Sequence, residues 1–397
     1  MPRWILFLIF ISISILVLGG VHFYFYRRLV MAPELPPPWS TVGKVALIAL
    51  TLSFPISMMV GRALEPGPAR IVLAPLYVWL GVMLMLFFLL LSIDLLRGLG
   101  WLGARVAGRE GLVTDPDRRL FLARVIAGGA AGVVALASGV ALWRGLGKLV
   151  VKPVEVMLPK LPPALDGFTI AQLTDLHLGA MRRGDWVREV VERTNELKPD
   201  LIAITGDLAD AAPDQLTAEV ALLAKLSAPQ GVHFVTGNHE YFIDPLGWLA
   251  KLGEIGIRVL RNERVEIRKG EAAFDLAGID DDTGVRLAKG HGPDLPKALR
   301  GRDEGRALVL LAHQPRAVFE ACKSGVGLVL SGHTHGGQIW PWRYLVYLQQ
   351  PYISGLHDHE GTQVYVSEGT GFWGPPMRLG STAEITLVTL RAPSQSA

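Results

Sequence analysis

One cysteine, Cys322, stands among 397 residues. An intramolecular disulfide and a cysteine-based metal cluster are therefore excluded, and Cys322 reads as a small apolar residue on a helix. Charge is scarce as well. Only 19% of residues are Asp, Glu, Lys or Arg, against about 25% in soluble domains. The two signs nearly cancel, with 39 basic and 36 acidic residues for a net charge of +3. Without a long basic run or aromatic–basic interleaving, nucleic-acid binding has no electrostatic footprint. The chain also lacks internal repeats and low-complexity tracts.

What is plentiful is apolar, at 50% of residues, and it crowds the N-terminal part of the chain. Apolar runs cover Trp4 to Tyr26, Val42 to Leu64, Ile71 to Leu95 and Leu120 to Trp143. Each is close to the roughly 20 residues a helix needs to cross a bilayer. The second run is weakened by Lys44 and Pro55, and no small-residue cleavage pattern follows the first. Residues 1–147 are expected to form a four-helix transmembrane anchor, 148–166 a Pro-containing linker, and 167–397 a separate domain. Apart from Lys44 and Asp94 near their ends, the runs carry almost no charge, which fits an anchor better than a transport pathway.

An even number of spans places the start of the chain and the C-terminal domain on one side. The first and third connections hold Arg27, Arg28, Arg97, Arg105, Arg109, Arg118 and Arg119; the other side holds Arg3, Arg62, Arg70, Arg144, Lys148 and Lys152. The slight bias puts the connections in the cytoplasm and the C-terminal domain outside. Arg118-Arg119 before an apolar run resembles a twin-arginine export signal and reads equally as an ordinary basic cap. The expected location is a bacterial inner or plasma membrane, multi-pass, with the domain on the periplasmic face.

Beyond Gly167, five short apolar stretches each lead into a polar block: Asp175-Leu176-His177, Gly206-Asp207-Leu208-Ala209-Asp210, Gly237-Asn238-His239-Glu240, Ala312-His313, and Gly332-His333-Thr334-His335. Helical patterns at 185–197 and 215–226 lie between stretches. Such alternation reads as buried strands of α/β units, whose carboxyl-end loops share one crevice. Four His, two Asp and one Asn placed there could surround a metal pair, with Asp207 able to bridge two ions. Imidazole, carboxylate and amide oxygen suit Mn²⁺, Zn²⁺ or Fe²⁺, and the absence of thiolate argues against a structural zinc site. Gly206, Gly237 and Gly332 are expected to let the backbone turn sharply at the ligands.

These blocks, intact and in order, resemble the calcineurin-like metallophosphoesterase superfamily over about residues 165–391. The tail, with Gly336-Gly337-Gln338-Ile339, Gly369-Thr370-Gly371-Phe372-Trp373-Gly374 and Arg378-Leu379-Gly380, is similar to a membrane-associated bacterial phosphodiesterase branch. The resemblance implies a four-layer αββα sandwich after the anchor. It implies that Asp175, His177, Asp207 and His335 hold one metal, and that Asp207, Asn238, His313 and His333 hold a second. His239 would stabilise the transition state or protonate the leaving oxygen, oriented by Glu240 or Asp210. A metal-bridging hydroxide would attack a phosphodiester or pyrophosphate, and the substrate could be lipid-linked. The alternative is a non-catalytic membrane sensor that uses the same fold to bind a phospho-ligand.

Other residues have plainer readings. His357 and His359 are expected in a solvated loop, and Asp280-Asp281-Asp282 in a turn. His22, His233 and His291 are given no role. Trp340, Trp342, Phe372 and Trp373 could line a pocket, pack in the core or meet a membrane surface.

Overall fold

The computed structural model describes residues 3–108 and 115–393; Arg109 lies outside the described residues. The chain divides into two compact units, Met1–Ala141 and Leu142–Ala397. The first is helical, with α1 (Arg3–Phe25), α2 (Trp39–Ala63) and α3 (Pro66–Val106), followed by α4 (Pro116–Gly145), which runs on into the second unit. These four helices are long and apolar enough to cross a membrane. At 1.5 Å per residue α3 is about 60 Å long, twice a bilayer's apolar core of about 30 Å, so its charged end has room to leave the lipid. Asp94 is paired: Arg28 Nη2 lies 2.8 Å away and Tyr24 Oη donates to it at 2.6 Å.

The second unit is built on two six-stranded mixed sheets. The first runs β1 (Val150–Met157), β12 (Glu384–Arg391), β2 (Thr169–Leu173), β3 (Leu201–Thr205), β4 (Val232–Val235) and β5 (Arg258–Val259). The second runs β10 (Gly355–His359), β11 (Thr362–Val366), β9 (Leu328–Ser331), β8 (Leu308–Leu311), β7 (Ala272–Gly278) and β6 (Glu263–Lys269). The central strands are parallel, β2 to β3 to β4 in one sheet and β7 to β8 to β9 in the other.

Their near-continuous apolar sequence has a plain cause, since both faces are buried. Successive side chains point to opposite faces. Ile170, Leu201, Ala203, Val309, Leu311, Leu328 and Leu330 therefore meet between the sheets. Ala171, Leu173, Ile202 and Ile204 face the other way, against α5 (Gly184–Glu196), α6 (Thr217–Leu223) and, beyond α7 (Asn238–Ile243), α8 (Pro245–Glu254). Leu308, Leu310 and Val329 pack on Leu295, Ala298, Val318 and Ala321 of short helices outside the second sheet. The order is thus helix, sheet, sheet, helix.

The stretch expected as a linker, 148–166, is largely structured. Val150–Met157 pairs in parallel with β12 along its whole length, and Val156, Leu158, Leu161 and Leu165 are buried between the sheets. Pro153 is tolerated because β1 is an edge strand, where a missing N–H leaves no partner unsatisfied. The prolines disguised a strand as a spacer. Similarly, His357 and His359 lie on β10 and stack or hydrogen-bond with Tyr352, rather than standing in a solvated loop.

Candidate metal centre

The five polar blocks sit where the parallel strands end. Asp175 and His177 follow β2, Asp207 and Asp210 follow β3, and Asn238 to Glu240 open α7 after β4. His313 follows β8, while His333 and His335 follow β9. Two sheets thus deliver their carboxyl ends to one place, and Gln172 joins them beneath it: its amide donates to Thr205 Oγ1 at 2.9 Å and across to Ser331 O at 3.0 Å.

The donors form overlapping clusters, Asp175–His177–His335, Asp207–His313–His333 and His177–Asp210–His239, with ligand atoms in each within 4.8 Å of one another. Asp207 lies between the first two. Its Oδ2 is 3.2 Å from His313 Nε2 and 3.9 Å from both His177 Nε2 and His239 Nε2. Its Oδ1 accepts the His239 backbone N–H at 2.9 Å. Asn238 Oδ1 is 3.2 Å from His313 Nε2. All seven expected ligands are therefore gathered at one site.

The donor set fits divalent ions. His177 Nε2 faces His335 Nε2 at 3.1 Å, and His313 Nε2 faces His333 Nδ1 at 3.2 Å. Facing imidazole lone pairs repel unless a cation or proton lies among them, and ligands on one ion with bonds of about 2.1 Å sit about 3 Å apart. The ring nitrogens are also prepared: His313 Nδ1 donates to Thr205 O at 2.8 Å, which leaves Nε2 for the site. His177 Nδ1 is taken by Asp210 Oδ1 at 2.9 Å, and His335 Nδ1 is buried with no hydrogen-bond partner among the described residues.

Charge follows the same geometry. Burial disfavours ionisation of Asp207, but His313 and His239 outweigh it and hold its pKa well below the carboxylate range. Burial likewise opposes a charged His239; Asp207 and Asp210 override this and lift its pKa to about 9. Burial and the charge of His313 push His333 down to about 4.

Backbone strain marks the ligands. Asp175, His177, Asp207, His333 and His335 have φ of 54°, 49°, 51°, 71° and 50°, a left-handed conformation costing a non-glycine residue roughly 1 kcal/mol or more. The expected glycine turns are only partly there. Gly206 has φ 88°, but Gly237 and Gly332 serve close approach. A Cβ on Gly237 would lie 2.2 Å from Asp207 Oδ1, and one on Gly332 2.1 Å from Thr174 Oγ1. The ligands carry the left-handed turns themselves, with the glycines leaving them room.

Glu240 also differs from expectation. Instead of orienting the His239 ring, it is buried and accepts three backbone N–H groups: Gly237 at 2.6 Å, Asp207 at 3.1 Å and Leu208 at 2.8 Å. An acid at the third position of α7 pays for itself by locking two ligand loops together. Burial, with Asp207 beside it, raises its pKa to about 7. Asp210 is the residue on His239, at 2.7 Å from Nδ1.

Sequence reading missed Arg378 as a structural part. It is fully buried and donates to Gly369 O, Gly371 O, Ser381 Oγ and His335 O at 3.2, 2.5, 3.1 and 3.4 Å. A cation between the apolar Met377 and Leu379 was the available signal. Of the three acids expected in a turn, Asp282 lies in one, and Asp280 and Asp281 lead into it: Asp280 binds Arg261 at 2.7 Å, and Asp281 accepts Gln314 Nε2 at 2.7 Å.

Residues 168–337 match the calcineurin-like phosphoesterase family. The chain is 34% identical to a transmembrane protein with metallophosphoesterase domain from Danio rerio, with 97% of this chain and 89% of the fish protein covered. This chain belongs to the calcineurin-like phosphoesterases. A Bos taurus protein of the same description is 39% identical over 74% of this chain and 67% of its own length. A Helicobacter pylori protein described as an uncharacterized metallophosphoesterase is 37% identical over 64% of this chain and 67% of that one. As a calcineurin-like phosphoesterase the chain is a metal-dependent phosphoric ester hydrolase that uses divalent ions, which displaces the sensor alternative. Its relatives include animal as well as bacterial proteins.

Proposed function

We propose that this phosphoesterase is a dinuclear enzyme that hydrolyses a phosphodiester or pyrophosphate bond at a membrane surface. Asp175, His177 and His335 would hold one ion, Asn238, His313 and His333 the other, with Asp207 shared. The observation that carries this reading is Asp207 itself, whose Oδ2 lies within 3.9 Å of imidazoles from both clusters. When bound, the ions would neutralise phosphoryl oxygens and acidify a water molecule. The all-nitrogen-and-oxygen donor set favours Mn²⁺, Fe²⁺ or Zn²⁺.

The chain's own groups supply the rest. His239 stands at the edge of the donor clusters with its side chain 14% exposed, and Asp210 holds its Nδ1, which leaves Nε2 free. Protonated, with Nε2 3.9 Å from Asp207 Oδ2, it gives its proton to the leaving oxygen. Asp210 grips His177 at the same time, so the proton donor and a ligand are positioned by one carboxylate. Glu240 positions Asp207 through the backbone.

The arginine-rich first and third connections support a domain on the external face. A membrane tether raises the local concentration of a lipid-linked substrate, which makes that class the favoured one. The test is hydrolysis of bis-p-nitrophenyl phosphate by the full chain in detergent, stripped of metal and reloaded with Mn²⁺, Zn²⁺ or Fe²⁺. Turnover should require metal, vanish in Asp207→Ala and fall about 10²- to 10⁴-fold in His239→Ala. Metal-independent turnover, or full activity in Asp207→Ala, would refute the reading.

A further inference from the structure

Residues 339–356 contain one charged residue, Arg343, and no acid. The segment is ordered. Trp340 N donates to Leu379 O at 2.7 Å, Thr334 Oγ1 to Ile353 O at 2.5 Å, and Gln350 Nε2 to Gln314 Oε1 at 3.0 Å. Ile339 and Ile353 are buried, yet Trp340, Trp342, Tyr347 and Leu348 between them are exposed, Leu348 by 80%. A pinned segment that turns large apolar side chains outward is built to meet something.

The surface continues to the mouth of the site. Gln338 bonds the backbone of Trp373 in both directions, at 2.9 and 3.0 Å, and Trp373 lies 6.1 Å from the His239 ring. Phe242 also stands against the His239 ring, at 5.5 Å, and Phe242, Leu246 and Val285 are again exposed. Two apolar lips thus adjoin the proton donor. Most large hydrophobic side chains that the domain exposes belong to these lips.

From this we infer that the two lips dock on the lipid–water interface, so that the site takes its phosphoester from the bilayer surface. The composition fits that partner: Trp and Tyr gather at headgroup level, Leu dips below it, and Arg343 can reach lipid phosphate. So does the tether. Residues 146–149 alone join α4 to β1, so the domain works within about 20 Å of chain from a helix apolar enough to lie in a bilayer. Docking stands on the surface; only the identity of what is drawn in rests on the phosphoesterase reading.

The test places the full chain in nanodiscs, with Cys322→Ser and an environment-sensitive fluorophore on Leu348→Cys. A second probe goes on Glu271→Cys, at the β6–β7 hairpin, which lies at the opposite end of its sheet from the site. Brominated phosphatidylcholine should quench the first probe by about half and leave the second unchanged, since bromine quenches only at contact depth within the apolar boundary. Absence of quenching at 348 overturns docking, and a blue-shifted but unquenched probe would assign the surface to a protein partner.

The catalytic arm uses phosphatidyl-p-nitrophenol, which water cleaves to phosphatidic acid and p-nitrophenol. In the Trp342→Ser/Leu348→Ser chain, its hydrolysis should fall about tenfold through lost local concentration, with soluble bis-p-nitrophenyl phosphate unaffected. Equal rates on the lipid ester in parent and variant overturn interfacial capture. A parent inactive on both esters refutes the diester reading of the proposed function while the quenching result still decides docking.

Discussion

At the residue scale the site stores strain. Five ligand residues hold a left-handed backbone, and only the surrounding bonds keep them there. Asp175, for instance, accepts the His333 N–H at 3.0 Å, and Gly371 N bonds to its carbonyl at 2.9 Å. Relieving one turn at the cost of a donor should separate stability from function. His333→Gly is expected to leave the metal-free chain as stable as the parent or more so, by up to about 1 kcal/mol. Metal affinity should fall in the same protein. Thermal melts with and without Mn²⁺ check both halves, and a metal-free protein clearly less stable than the parent would show that His333 is unstrained. Gly237→Ala should behave in the opposite way. Its Cβ would collide with Asp207 Oδ1 and N at 2.2 and 2.4 Å, so hydrolysis should be lost along with folding stability.

At the scale of elements, two buried polar side chains hold the loops that carry the ligands. Arg378 ties His335 O to the 369–371 loop, and Gln172 ties the two sheets together. Arg378→Met leaves Gly371 O and Ser381 Oγ without a donor, at about 1–3 kcal/mol for each one that water cannot reach, while His335 O and Gly369 O keep the backbone N–H groups of Gln338 and Glu384. Denaturant melts should show a loss of several kcal/mol; a loss below about 0.5 kcal/mol, typical of a surface change, would contradict this role. Legibility in the sequence divides along the same line. The parallel strands were readable because burial on both faces leaves unbroken apolar runs, and the donors because each follows such a run. β1 was not, since an edge strand can carry Lys152 and Pro153, and Lys152 meets its buried partner Glu384 only through the fold. The role of Glu240 was hidden for a related reason: it acts on backbone N–H groups, which have no signature in sequence.

At the scale of the whole molecule, the four membrane-length helices among the described residues link the topology to the chemistry. The single cysteine makes this testable, because Cys322 belongs to the catalytic unit and is partly exposed. In spheroplasts of a bacterial host, a membrane-impermeant maleimide should label Cys322 from outside, and the Cys322→Ser chain should stay unlabelled. Labelling only after lysis would place the domain in the cytoplasm.

The central claim is a shared carboxylate between two ions, and counting the ions tests it most directly. Calorimetric titration of the metal-stripped full chain with Mn²⁺, with metal content checked by mass spectrometry, should give about two equivalents per chain. Asp207→Ala should lower the affinity of both, whereas a single equivalent, or two equivalents undisturbed by the loss of Asp207, would contradict the account.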